Sequence, residues 1–121
     1  MHEASVTEAL VKIAVEEASR RKAARVTAIN LVVGETTGYM AESLEFYFRN
    51  FSKGTALEGA ALNVRYVKPL IKCPSCGKLF ERKRFSFDCP DCGVPGTMTS
   101  VGNEFFIDTM EIEGGSDGGT D

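Results

Sequence analysis

The chain of 121 residues has a single histidine, four cysteines, and no apolar run long enough to cross a membrane. Each scarcity excludes something. With His2 as the only imidazole, no serine or cysteine can be paired with a histidine base elsewhere in the chain. The acidic side chains Glu42 and Glu45 belong to the solvated face of a helix, so no enzyme site is legible. A spanning helix needs about 20 consecutive apolar residues, and none is present. The N-terminus is amphipathic and acidic, without the basic region and apolar core of a secretory signal. Basic residues are unevenly spread: 7 Lys/Arg against 8 Asp/Glu from Met1 to Val64, 7 against 3 from Arg65 to Cys92, and 0 against 6 from Gly93 to Asp121. A net charge of -3 and an acidic tail argue against strong attraction to phosphate. The basic middle sustains one competing reading, a zinc-ribbon module for nucleic acid or protein, with Arg82, Lys83 and Arg84 as its contacts.

The cysteines stand in two matching frames, Cys73-Pro-Ser-Cys76-Gly and Cys89-Pro-Asp-Cys92-Gly. The intervening segment, 77–88, is long enough to turn back and bring four sulfurs to the corners of one tetrahedron. Thiolates so spaced suit Zn(II), whose filled d shell does not resist tetrahedral geometry. Gly77 and Gly93 follow the second cysteine of each frame, where positive φ lets backbone amides curl toward the sulfurs. Two disulfides or an iron site would use the same residues. Nothing in the chain looks secreted, and spacing alone does not separate iron from zinc. Cysteines committed to a metal point to the cytoplasm. A zinc with four thiolates has no open position, so it can staple a fold but not bind a substrate.

A second metal site is predicted at the other end. His2 follows Met1 and precedes Glu3. A bulky second residue should hinder removal of Met1, leaving the free amine on Met1. That amine, the His2 amide nitrogen and the His2 ring nitrogen can close a five- and a six-membered chelate ring on one cation. Nickel(II) and copper(II) favour such planar nitrogen sets. The fourth donor must come from the Glu3 amide or carboxylate, or from another molecule. Such a site can hold a metal and hand it on.

The remaining pattern predicts an α+β fold. Ser5-Val6-Thr7-Glu8 reads as a capping box, which would leave the amides of His2 and Glu3 outside the helix. Val6, Leu10, Ile13, Ala14 and Ala18 would form its apolar stripe, with Glu8, Lys12, Glu16 and Arg20 facing away. Arg20-Arg21-Lys22 suits the negative end of the helix dipole. A strand is expected over 25–33 and a glycine-bounded loop over 34–38. A helix over 40–51 follows, burying Leu44, Tyr47, Phe48 and Phe51, then a strand over 60–67 burying Leu62, Val64 and Tyr66. A strand–helix–strand unit implies parallel strands with a right-handed crossover. Phe80, Phe85 and Phe87 are expected to cluster beside the zinc. In the last strand, 104–112, Phe105 and Ile107 keep one phase and Met110 and Ile112 the other, predicting a bulge near Asp108-Thr109. The expected architecture is two helices packed on a small mixed three-stranded sheet, with an inserted zinc-ribbon-like lobe. Residues 1–68 with 101–113 would form the nickel-binding lobe, 69–100 the zinc lobe, and 114–121 a disordered acidic tail.

Several fragments together resemble a known family: Met1-His2-Glu3 before an amphipathic helix, Leu31-Val32-Val33-Gly34-Glu35, Glu58-Gly59-Ala60, the paired cysteine frames, and Gly102-Asn103-Glu104-Phe105. The chain is similar over residues 1–113 to the HypA/HybF proteins, nickel chaperones of [NiFe]-hydrogenase maturation. The resemblance implies transferable nickel at the N-terminus, with His2 essential and Glu3 beside it, and a structural zinc on Cys73, Cys76, Cys89 and Cys92. It further implies two partners, a nickel-handling GTPase and the immature hydrogenase large subunit. Some family members carry histidines beside their cysteine pairs; this chain has none there. Any coupling between the two metal sites must work without imidazole in the zinc lobe, and a role in urease maturation is left open.

Overall fold

A computed structural model describes residues 2–82 and 86–114, with His2 described by its backbone alone. The elements run α1 (His2–Arg20), β1 (Arg25–Gly34), a 3-10 turn (Glu35–Thr37), α2 (Ala41–Phe51), β2 (Ala61–Val67), β3 (Leu70–Lys72), β4 (Leu79–Glu81), β5 (Thr97–Met98) and β6 (Phe105–Glu113). One three-stranded sheet has the order β2-β1-β6 and a second, β4-β3-β5. Partners of β1 along β6 descend as β1 ascends: Ala24 with Glu113, Asn30 with Thr109, Gly34 with Glu104. That pair is therefore antiparallel. Toward β2, the Asn63 side-chain amide donates to Asn30 Oδ1 at 2.9 Å. The two helices and the three-stranded sheet β2-β1-β6 are as expected, and the cysteine segment carries a second three-stranded sheet.

Contacts gather the chain into two units. The first runs through residues 2–31, 39–64 and 107–114, and the second through 32–38 and 65–106. In the first, α1 and α2 pack on each other. Its buried apolar residues come from α1 (Leu10, Val11, Ala14, Ala18), β1 (Val26, Ala28, Ile29, Leu31), α2 (Leu44, Phe48), and Leu57 and Leu62. The centre of the second is a cluster of Ile71, Cys73, Phe80 and Cys89.

Several expectations are corrected. Helix α1 begins at His2, so Ser5 lies inside it and caps nothing. The first turn is instead held by the Thr7 hydroxyl, which donates to the Glu3 carbonyl at 2.6 Å. It is also held by the Glu3 carboxylate, which accepts the Met40 amide at 2.7 Å. Packing has overridden the local cap signal. The buried stripe passes through Thr7, Leu10, Val11, Ala14 and Ala18, while Ile13 is 59% exposed. The two stripes share Leu10, Ala14 and Ala18 and differ in the flanking residues, Thr7 and Val11 being buried where Val6 and Ile13 were expected, and tertiary packing selects between them. Met40 caps α2 rather than beginning it. Tyr66, expected inside, is 41% exposed near the end of β2. The phase slip in β6 is found where expected: Phe105, Ile107, Met110 and Ile112 are half-buried, while Asp108 and Thr109 are consecutive exposed residues.

In the zinc lobe Phe80 is buried but Phe87 is exposed, its ring covered by the Arg82 guanidinium at 4.5 Å. Phe85 lies outside the described residues, as do Lys83 and Arg84 and the tail beyond Gly114. Gly96 explains why so few large residues suffice there. A Cβ at this position would stand 2.2 Å from Ile71 Cγ2 and 2.9 Å from Phe80 Cζ.

Candidate metal centre

The two cysteine frames fold into matching turns. In the first, the Cys73 amide donates to the Lys78 carbonyl and the Gly77 amide to the Cys73 carbonyl, both at 2.9 Å. In the second, the Cys89 amide meets the Val94 carbonyl at 2.9 Å and the Gly93 amide the Cys89 carbonyl at 2.8 Å. Gly77 and Gly93 stand at φ 77° and 71°, the left-handed backbone expected of them. The first turn points the amides of Ser75 and Cys76 at the Cys73 sulfur, each at 3.4 Å. Strand β3 leads into Cys73 and β4 follows the first turn, so antiparallel pairing of Leu70 with Glu81 and Lys72 with Leu79 closes its base.

The four sulfurs lie within 4.8 Å of one another and none is in a disulfide. Cys76 Sγ and Cys89 Sγ are 3.8 Å apart. A tetrahedron with zinc–sulfur bonds of about 2.3 Å has edges of about 3.8 Å, so the donor set suits zinc. Cys73 and Cys89 are buried, and Cys76 and Cys92 lie at the surface. The amide of Cys76, more than any other group, draws the Cys73 thiol down to about 7. Cys92 is pushed up to about 12, chiefly by its hydrogen bond with Cys76. Binding a metal as thiolates releases the protons the thiols carry, so metal affinity depends on pH.

One feature of the centre escaped the sequence reading. Lys78 Nζ lies 3.0 Å from Asp91 Oδ2, joining the first turn to the second beside the sulfurs. A lysine just after the first frame and an aspartate inside the second were the available signal. Both groups are substantially exposed, so the pair contributes little to stability by itself.

At the other end of the chain, α1 places the His2 backbone in its first turn. The leading amides of any helix have no partner within it, so a helix beginning at His2 still leaves the His2 and Glu3 amides without intrahelical acceptors. Glu3 is half-buried and its carboxylate reaches the Met40 amide, across 37 residues of sequence. Met1 and the His2 ring, both predicted nickel donors, lie outside what the structure describes.

A family model for hydrogenase/urease nickel incorporation, metallochaperone, hypA, matches residues 1–112. The chain belongs to the HypA family. Membership makes it a metallochaperone of hydrogenase maturation rather than an enzyme. Among curated HypA relatives, the hydrogenase maturation factor of Caldanaerobacter subterraneus subsp. tengcongensis is 46% identical over 93% of this chain and 100% of its own length. That of Methanocaldococcus jannaschii is 38% identical over 93% of this chain and 98% of its own. The fold is shared with a solution structure of HypA protein at TM-score 0.69 and 23% identity, over 93% of this chain and 96% of that one. It is also shared with the Ni metallochaperone HypA from Helicobacter pylori at TM-score 0.62 and 21% identity, over 92% and 97% of the two chains. No described helix of this HypA-family chain is long and apolar enough to cross a membrane.

Proposed function

We propose that the chain binds Ni(II) at its N-terminus, through donors of Met1 and His2 with Glu3 beside them, and helps insert it into the immature large subunit of a [NiFe]-hydrogenase. Family membership supports nickel as the cargo. The observation that carries the choice of site is the start of α1 at His2, which leaves the leading amides free of helical partners. The Met1 amine, the His2 amide and the His2 ring would supply three donors, and the unfilled fourth position is where a receiving ligand can enter. Nickel would then pass by exchange of one donor at a time. A nickel-handling GTPase of the same maturation route is the expected loading partner, and the cytoplasm is the place where both clients and free thiols persist.

Zinc on Cys73, Cys76, Cys89 and Cys92 is the resident metal in this reading. The four thiolates complete its coordination, which keeps it structural and leaves transfer to the N-terminal site. Residues 1–68 with 101–113 serve as the nickel-binding lobe and 69–100 as the zinc lobe. His2→Ala tests the assignment. The variant is expected to lose stoichiometric nickel uptake in a calorimetric titration while keeping its zinc and its circular dichroism spectrum. If the variant keeps full uptake, the cargo is held elsewhere.

A further inference from the structure

The N-terminal site raises a question about Glu3, whose side chain is a candidate fourth donor. The structure assigns it another task. Glu3 Oε2 accepts the Met40 amide at 2.7 Å. Met40 is the residue preceding α2, extended at φ -98° and ψ 131°, and its own side chain supplies no cap. The carboxylate therefore stands at the positive end of an 11-residue helix whose N-cap residue makes no side-chain cap hydrogen bond. An amide–carboxylate bond is charge-assisted, among the stronger hydrogen bonds a protein makes. The same residue is held from behind. Its carbonyl accepts the Thr7 hydroxyl at 2.6 Å, and Thr7 is 1% exposed.

Glu3 is thus fixed at both its carbonyl and its carboxylate, directly beside the backbone atoms that would hold nickel. We propose that the Glu3 carboxylate is a positioning group: it ties the first turn of α1 to the start of α2 and stays off the metal. This rests on the N-terminal nickel reading above. A chelate ring is only as good as the alignment of its donors, and the His2 amide shares a turn with this anchor. The group acts on nickel by holding that turn still.

Two substitutions separate the tether from a ligand. Glu3→Gln keeps a carbonyl oxygen that can accept the Met40 amide but removes the charge and nearly all affinity for a cation. Glu3→Ala removes both. In the nickel-free full chain, hydrogen exchange at the Met40 amide is expected to stay slow in Glu3→Gln and to quicken in Glu3→Ala. With nickel, Glu3→Gln should show the native visible absorption bands and nearly native affinity. Glu3→Ala should keep the bands but weaken binding about 10- to 100-fold, the usual loss when an outer-sphere partner is removed. Shifted bands in Glu3→Gln, or a loss of nickel equal to that of Glu3→Ala, would make the carboxylate a donor and overturn the proposal. Unchanged Met40 exchange in Glu3→Ala would overturn it as well. The exchange measurement needs no nickel, so its result stands whether or not His2→Ala confirms the N-terminal site.

Discussion

Cys73→Ser should empty the four-thiolate centre and unfold the zinc lobe, while the helical signal of α1 and α2 persists. Cys73 is fully buried, receives two amides at 3.4 Å, and has its thiol drawn down to about 7. A serine hydroxyl does not ionise at neutral pH and is a poor zinc donor. The lobe has little else to hold it. Its buried cluster consists of Ile71 and Phe80 together with two of the ligands, Cys73 and Cys89. Burying two large apolar side chains stabilises by roughly 1.5–3 kcal/mol each. Binding of a structural zinc contributes about 10–16 kcal/mol at neutral pH. The metal term therefore decides whether this segment is ordered, and a strong chelator should reproduce the effect in the native protein. The check is zinc content by a colorimetric assay, alongside the amide NMR spectrum of residues 69–100. Exposed Cys92→Ser should give a milder loss than buried Cys73→Ser. A well-dispersed spectrum for these residues in zinc-free protein would show that side-chain packing, not the metal, orders them.

Gly34→Ala should destabilise the fold by about 3 kcal/mol, combining overpacking with weakened backbone hydrogen bonds. A Cβ on Gly34 would stand 1.9 Å from the Gly102 carbonyl oxygen and 2.6 Å from the Asn103 nitrogen. These are backbone atoms and cannot rotate aside. The approach is held by the Gly34 amide on the Glu104 carbonyl at 2.7 Å and the Thr36 amide on the Gly102 carbonyl at 2.9 Å. Gly34 itself has φ -74° and ψ 140°, a conformation open to any residue, so the cost is purely one of space. Gly38→Ala provides the contrast. Gly38 has φ 76° with nothing within 4 Å of an added Cβ, so only the backbone cost of about 1 kcal/mol applies. Denaturant midpoints of the two variants should rank Gly34→Ala well below Gly38→Ala. Equal midpoints would mean that the backbone at Gly102 yields easily.

The zinc frame was legible because its chemistry is local: four sulfurs, two fixed spacings and a glycine after each pair determine the turns. The slip in β6 was legible for the same reason, since side-chain phase along a strand is written residue by residue. The start of α1 was not. It depends on a backbone amide at Met40 reaching Glu3, and a backbone amide leaves no mark in the sequence. Val11 and Ile13 offered two neighbouring apolar stripes, and only tertiary packing, not the local pattern, chooses Val11. Gly34 read as a turn residue of the loop over 34–38. Its contacts show instead that the close approach of the Gly102 backbone excludes a side chain there.

The most direct test of the account is a nickel titration of two proteins, one beginning at Met1 and one with two extra residues before it. The extension leaves every side chain in place and removes only the Met1 amine from reach of the His2 chelate. One nickel per chain is expected for the protein beginning at Met1, and a large loss of affinity for the extended one, with zinc unchanged in both. Equal nickel affinity in the two would contradict it.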